Sequence, residues 1–217
     1  MRLQALFRRE NALQGEARLE ELRYIVFDTE FTSLDQRTNR LLSIGAVVME
    51  GPKIRVGEQF YCVVNPRVEV PGQSVVVHRL RAEDIEKAES PQAVLERFVE
   101  FSRGAVLVGH FVDYDVDIVK KELAGCGMAA ENTTKIDTAR VHRWLEMRKQ
   151  HNPTEGFDER TIRTDLASVA AHYGITFEEA HHALADAYVT AQVRQREIAE
   201  LAVKGVRTWK QLRPALR

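Results

Sequence analysis

Residues 23–64 read RYIVFDTEFTSLDQRTNRLLSIGAVVMEGPKIRVGEQFYCVV, and this stretch decides the fold. Its opening run, RYIVFDTEF, is rich in β-branched and aromatic residues and reads as a short buried strand. Two further strands follow in LLSIGAVVMEGPKIRVGEQFYCVVNP, divided by a turn at Gly51-Pro52. Together they predict an antiparallel meander. Downstream, SPQAVLERFVEF places Val94, Leu95, Phe98 and Phe101 at helical spacing behind a Ser-Pro helix start. The pattern then alternates: strand AVLVGH, a helix from about Tyr114 to Leu123, strand TTKID and helix TARVHRWLEMR. Strands alternating with helices of this length imply parallel pairing through crossover helices. The polar stretch KQHNPTEGFDER reads as a connection, DLASVAAHYG as a helix closed by Gly174, and a last long helix runs from near His182 to about Val203. The predicted architecture is α/β: a mixed five-stranded sheet, meander first and parallel strands after, with helices on both faces.

With 217 residues and 44% hydrophobic content, the chain supports one substantial core. Residues 1–22 carry Leu3, Leu6, Phe7, Leu13, Leu19 and Leu22 at rough helical spacing and read as an amphipathic extension; residues 23–203 form the main domain. Residues 204–217 carry Lys204, Arg207, Lys210, Arg213 and Arg217 without an acid and read as a basic tail, although the net charge is only −1. No segment is long and apolar enough to span a membrane, and charge interrupts the N-terminus, so no membrane association and a cytoplasmic location are expected. Cys62 and Cys126 lack metal-site or disulfide spacing and read as packing residues.

Asp28 and Glu30 are two apart on a predicted strand, so the strand's period of two sends both carboxylates to one face. Either a cation compensates them, or the strand has ended and they sit in solvent. Asp115 lies just past the end of a predicted parallel strand, where open α/β sheets place ligands. Asp186 falls on an alanine-rich helix whose small residues Ala183, Ala185 and Ala187 let it approach the sheet. Four carboxylates converging in one cleft repel each other, and hard divalent cations with oxygen ligands relieve that repulsion.

These residues sit in three ordered motifs: Asp28-Thr29-Glu30-Phe31-Thr32-Ser33, His110-Phe111-Val112-Asp113-Tyr114-Asp115, and His181-His182-Ala183-Leu184-Ala185-Asp186-Ala187. From Arg23 to Val203 the chain resembles the DnaQ-like DEDDh exonucleases, which have a ribonuclease H-like fold. The resemblance implies 3′→5′ hydrolysis of single-stranded nucleic acid with a free 3′ end, releasing nucleoside 5′-monophosphates. It also implies two Mg2+ or Mn2+ ions held by Asp28, Glu30, Asp115 and Asp186, with His181 as general base. DNA is the expected substrate; trimming of RNA ends and a non-catalytic binding module are the alternatives. Phe31, Ser33 and Phe111 depart from the family's usual Thr, Gly and Asn. By resemblance, Phe31, Thr32, His78 and Phe111 border the terminal nucleotide. A proofreading role would bring a polymerase partner, for which the N-terminal helix is a candidate docking element, but a free-standing enzyme is preferred.

Helical geometry separates the two adjacent histidines. On a regular helix a separation of five residues places His181 roughly 140° from Asp186. His181 is therefore expected in the loop before the helix, with His182 entering it. His110 is expected to be structural, Asp113 and Asp117 to face solvent, and Asp137 to cap the helix that follows it.

Overall fold

Alternation along the first strand sets the layers. The computed structural model describes residues 15–33, 35–68, 80–129, 134–149, 161–177 and 181–217. Strands β1 (Arg23–Phe31), β2 (Leu41–Glu50), β3 (Lys53–Val63), β4 (Val106–Gly109) and β5 (Lys135–Asp137) form one sheet in the order β3-β2-β1-β4-β5. The β1–β2 and β2–β3 pairs are antiparallel; β1–β4 and β4–β5 are parallel. The helices are α1 (Ala82–Glu86), α2 (Pro91–Ser102), α3 (Asp113–Gly125), α4 (Thr138–Lys149), α5 (Leu166–His172), α6 (Ala183–Val203) and α7 (Trp209–Leu212), the last followed by a 3-10 turn at Arg213–Leu216.

Ile25 and Phe27 point to one face of β1, where they join Ile44, Val94, Leu95, Phe98, Val116 and Val119 beneath α2 and α3. Tyr24 and Val26 point to the other, where they join Val47, Met49, Val141, Leu145, Ala191, Ile198 and Leu201 beneath α4 and α6. The sheet is thus covered on both sides, and its central strands are apolar along their length. Cys62 and Cys126 are free thiols packed against the first of these clusters. Helix α2 starts at Ser90, whose hydroxyl accepts from the Ala93 amide at 3.4 Å, with Pro91 at the first helical position. Asp165 caps α5 by accepting from the Ser168 amide at 3.0 Å.

The two ends of the chain differ from the sequence reading. Of the expected N-terminal helix, residues 1–14 lie outside the described residues, and residues 15–22 form turns rather than a helix. Their backbone is committed to the C-terminal segment instead: Leu19 N donates to Arg207 O at 2.9 Å, Trp209 N to Ala17 O at 2.9 Å and Lys210 N to Gly15 O at 2.9 Å. The basic segment is correspondingly not a free tail. Trp209, Leu212 and Ala215 recur at a spacing of three and bury one stripe in the second core, while the basic side chains stay outside. Counting charges alone missed that apolar stripe. Among the described residues, no helix is long and apolar enough to cross a membrane.

Candidate active site

Asp28 and Glu30 share the parity of Tyr24 and Val26, so both carboxylates turn toward the N-terminus of α6. The close approach of α6 depends on Gly45, the β2 partner of Asp28. A Cβ on Gly45 would fall 2.1 Å from Leu184 N and 2.3 Å from the Ala183 carbonyl carbon, an overlap no side chain could relieve. Ala183 and Ala187 on the helix are also fully buried. Asp186, in the first turn of α6, is thereby delivered to the β1 acids. One carboxylate oxygen from each of Asp28, Glu30 and Asp186 lies within 4.8 Å of the others.

Asp115 enters from the opposite layer, on the first turn of α3. Its Oδ1 accepts two bonds from Thr29, from the amide at 2.9 Å and the hydroxyl at 2.6 Å, which lock it onto the strand between the other two acids. Burial dominates the ionisation of the cluster. It pushes Asp28 well above the usual carboxylate range, with Asp115, Asp186 and Glu30 adding repulsion. It also lifts Asp115 to about 7 against the opposing Thr29 bonds. Asp186 likewise rises to about 7 through burial, opposed by the bond from the His181 amide.

His181 has a left-handed backbone, φ 68°, and precedes α6, as the helical-angle argument requires. Its amide donates to Asp186 Oδ2 at 3.2 Å. His182 is the N-cap instead: its Nδ1 accepts from Ala185 N at 3.4 Å and its ring stacks on Tyr61 at 4.8 Å between centroids. A cavity of about 460 Å³ collects Asp28, Glu30, Asp115, His181 and Asp186, with Phe31, Phe111 and Tyr114 on its walls.

The remaining expected residues separate. Phe31 and Phe111 line the cavity. Thr32 is buried behind it, with its hydroxyl accepting from Arg40 N at 3.0 Å. His78 lies outside the described residues. His110 is structural: its Nε2 donates to Thr164 O at 2.7 Å, its Nδ1 meets Thr138 Oγ1 at 2.8 Å, and burial lowers its pKa to about 4, leaving the ring neutral. Asp137 accepts from Ala139 N at 3.0 Å as expected of a cap, and also from Phe111 N at 3.1 Å. That second bond holds Phe111 at φ 56°, a conformation costly for a bulky residue and one that asparagine tolerates. Asp117 is exposed, whereas Asp113 pairs with Lys135 and Arg140 instead of facing open solvent. The sequence reading passed over Thr29, Tyr61, Tyr114 and Gly45. Of these only Gly45 carried a local signal, since a glycine inside a strand marks a close backbone approach.

The acids fit a divalent cation. Asp186 Oδ1 is buried with no hydrogen-bond partner among the described residues, and it belongs to an all-oxygen set whose members repel one another. A ribonuclease H-like sheet that brings acids from β1, α3 and α6 to one mouth defines the class of DnaQ-like nucleases. A family model described as exonuclease matches residues 25–194, and the chain belongs to that family of hydrolases. A PolC-type DNA polymerase III of Caldanaerobacter subterraneus subsp. tengcongensis is 27% identical over 203 residues, covering 94% of this chain and 13% of the polymerase. A DNA polymerase III subunit epsilon-like protein of Rhodobacter capsulatus is 30% identical over 203 residues, covering 92% of this chain and 27% of that protein. The chain therefore spans only a minor part of these relatives. Among solved structures, E. coli exonuclease I in complex with a dT13 oligonucleotide superposes with a TM-score of 0.71 at 14% identity, over 85% of this chain and 43% of the enzyme.

Proposed function

We propose that the chain is a 3′→5′ exonuclease that removes nucleoside 5′-monophosphates from single-stranded DNA using Mg2+ or Mn2+. The observation that carries this reading is the meeting of Asp28, Glu30 and Asp186 within 4.8 Å, in a cavity that also holds Asp115 and His181. The four acids would hold two divalent ions, with Asp28 at the centre. Bound there, such ions supply activation of a water molecule and neutralisation of the departing 3′-oxygen. Thr29 fixes Asp115 with two hydrogen bonds, so that acid holds its orientation as charge builds around it. The His181 amide does the same for Asp186, which couples placement of the histidine to placement of an acid. The imidazole of His181 accepts the proton that the attacking water gives up. Phe31, Phe111 and Tyr114 give the terminal nucleotide apolar and aromatic walls.

Exonuclease I, a structural neighbour, has been seen with a single-stranded oligonucleotide, which supports choosing single-stranded DNA. The test uses matched oligonucleotides of DNA and RNA labelled at the 5′ end, with and without Mg2+. The expected result is a ladder of DNA products shortened from the 3′ end, absent in EDTA and in Asp28→Ala. Faster loss of the RNA would make this an exoribonuclease. Cleavage of a circular strand, or activity that survives EDTA, would overturn the reading.

A further inference from the structure

A second group of potential ligands lies on the α4–α5 side of the molecule, with no residue in common with the acid cluster. His142 and Glu146 stand one turn apart on α4, and His172 ends α5. One ligand atom from each lies within 4.8 Å of the others, and His172 Nε2 is 3.6 Å from Glu146 Oε1. Tetrahedral coordination at zinc-like bond lengths places donor atoms roughly 3.4 Å apart, so small side-chain rotations suffice to close the set. A cavity of about 260 Å³, lined by these three residues with Thr161, Arg163 and Ser168, leaves room for a water ligand.

A second observation points to a ligand. His142 is 3% exposed, and its buried Nδ1 has no hydrogen-bond partner among the described residues. An unpaired buried nitrogen is costly, and none of the described residues around it relieves it. Lys149 meanwhile behaves as a resident cation: its ammonium lies 2.5 Å from Glu146 Oε1 and 3.4 Å from His172 Nε2. The same ammonium is 3.2 Å from Glu200, whose other oxygen accepts from the Tyr173 hydroxyl at 3.0 Å. Glu200 thus offers Lys149 a place to go when Glu146 turns to another cation. Arg163, the nearby guanidinium, is itself turned to Asp165 at 3.1 Å.

We infer that His142, Glu146 and His172 form a binding site for a transition-metal cation of the zinc class, separate from the acid cluster, in which the metal displaces Lys149 onto Glu200. Two imidazoles and one carboxylate suit such a cation and do not suit Mg2+, which takes oxygen ligands. The metal would clip α5 to α4. Because Thr164, just before α5, holds His110 at 2.7 Å, the clip would also steady the wall of the first cavity.

The test titrates Co2+, then Zn2+, into the full-length chain carrying Asp28→Asn, which weakens the acid cluster so that the second site reports alone. The expected result is one Co2+ with the intense visible absorption of a low-coordinate nitrogen-containing site, displaced by Zn2+. Adding His172→Ala or Glu146→Gln should each weaken binding by at least roughly 10–100-fold, the range for losing even an outer partner of a metal ligand. Lys149→Ala should tighten it, since the competing ammonium is gone. Zn2+ should raise the thermal midpoint of the parent but not of the His172→Ala chain. These surface-accessible variants avoid the folding risk of changing His142. Binding unaffected by His172→Ala and Glu146→Gln, or no Co2+ absorption up to millimolar metal, would overturn the assignment. An oxygen-only spectrum that is also lost in Asp186→Asn would return the cation to the acid cluster and leave the proposed exonuclease activity untouched.

Discussion

At the scale of single residues, the two adjacent histidines divide the labour at the start of α6. The His181 amide holds Asp186, and its side chain lines the cavity; His182 caps the helix and stacks on Tyr61. His181→Ala should lower turnover by roughly 10²–10⁴-fold, as loss of a general base does, while thermal stability barely changes. His182→Ala should show the reverse: stability lower by about 1 kcal/mol from the lost cap, and turnover reduced by less than about tenfold. Single-turnover rates beside melting curves for both variants check this, and equal loss of turnover would remove the special role of His181. Thr29 offers a finer probe. Thr29→Val keeps the shape and the amide bond to Asp115 but deletes the hydroxyl, a bond to a charged group contributing about 1.5–3 kcal/mol. Turnover should fall roughly tenfold, with more metal needed for half-maximal rate, and Thr29→Ser should restore both. That the acids and His181 meet in one cavity was legible through the motifs that carry the family resemblance. Thr29 was not, because its role depends on Asp115 arriving from another layer of the fold.

At the scale of elements, the closeness of α6 to the sheet decides whether the acids meet at all. Gly45→Ala puts a methyl group into the backbone at Leu184 and Ala183, so α6 must retreat and carry Asp186 and His181 with it. Overpacking of this kind costs about 1–3 kcal/mol. A shift of about 1 Å in a catalytic group costs on the order of 10²-fold in rate. Gly57→Ala is the control, since a Cβ there meets nothing within 4 Å and should change neither quantity. Activity and melting assays on the pair separate the two cases, and a fully active Gly45→Ala enzyme would show that the helix has slack. Strands and helices in the middle of the chain were readable because each carries its own local signal, a short run of β-branched and aromatic residues in RYIVFDTEF and a period near 3.6 in PQAVLERFVEF. Residues 15–22 misled because their leucines imitate helical spacing while their backbone bonds go to residues 207–210, distant in sequence.

At the scale of the whole molecule, net charge near neutral concealed what burial does to the carboxylates. Asp115 and Asp186 are lifted to about 7 and Glu197, buried beside Arg194, to about 8, in each case chiefly by desolvation. Each holds its proton to a higher pH when folded than when unfolded, so between the ordinary carboxylate range and these values the folded state binds more protons. The stabilisation is complete below that range and is lost as the pH rises through 7 to 8. The metal-free protein should therefore melt at lower temperature at pH 8 than at pH 5. A divalent cation opposes only part of this loss, because Asp115 and Asp186 line the acid cavity whereas Glu197 lies eleven residues further along α6, roughly 16 Å away. Mg2+ binds the ionised cluster and not the protonated one. Its stabilisation, set by concentration relative to its dissociation constant, should appear mainly at high pH. With millimolar Mg2+ the midpoint should rise by roughly 3 °C or more at pH 8 and by less than about 1 °C at pH 5, given about 2–4 °C per kcal/mol for a chain of this size. Asp28→Asn should abolish the Mg2+ effect and, by removing one of the repelling charges, raise the metal-free midpoint at pH 8 while leaving it nearly unchanged at pH 4. Calorimetry across that pH range decides the matter: a Mg2+ shift independent of pH would mean that these acids are already ionised in the metal-free fold and that burial perturbs them far less than their packing implies.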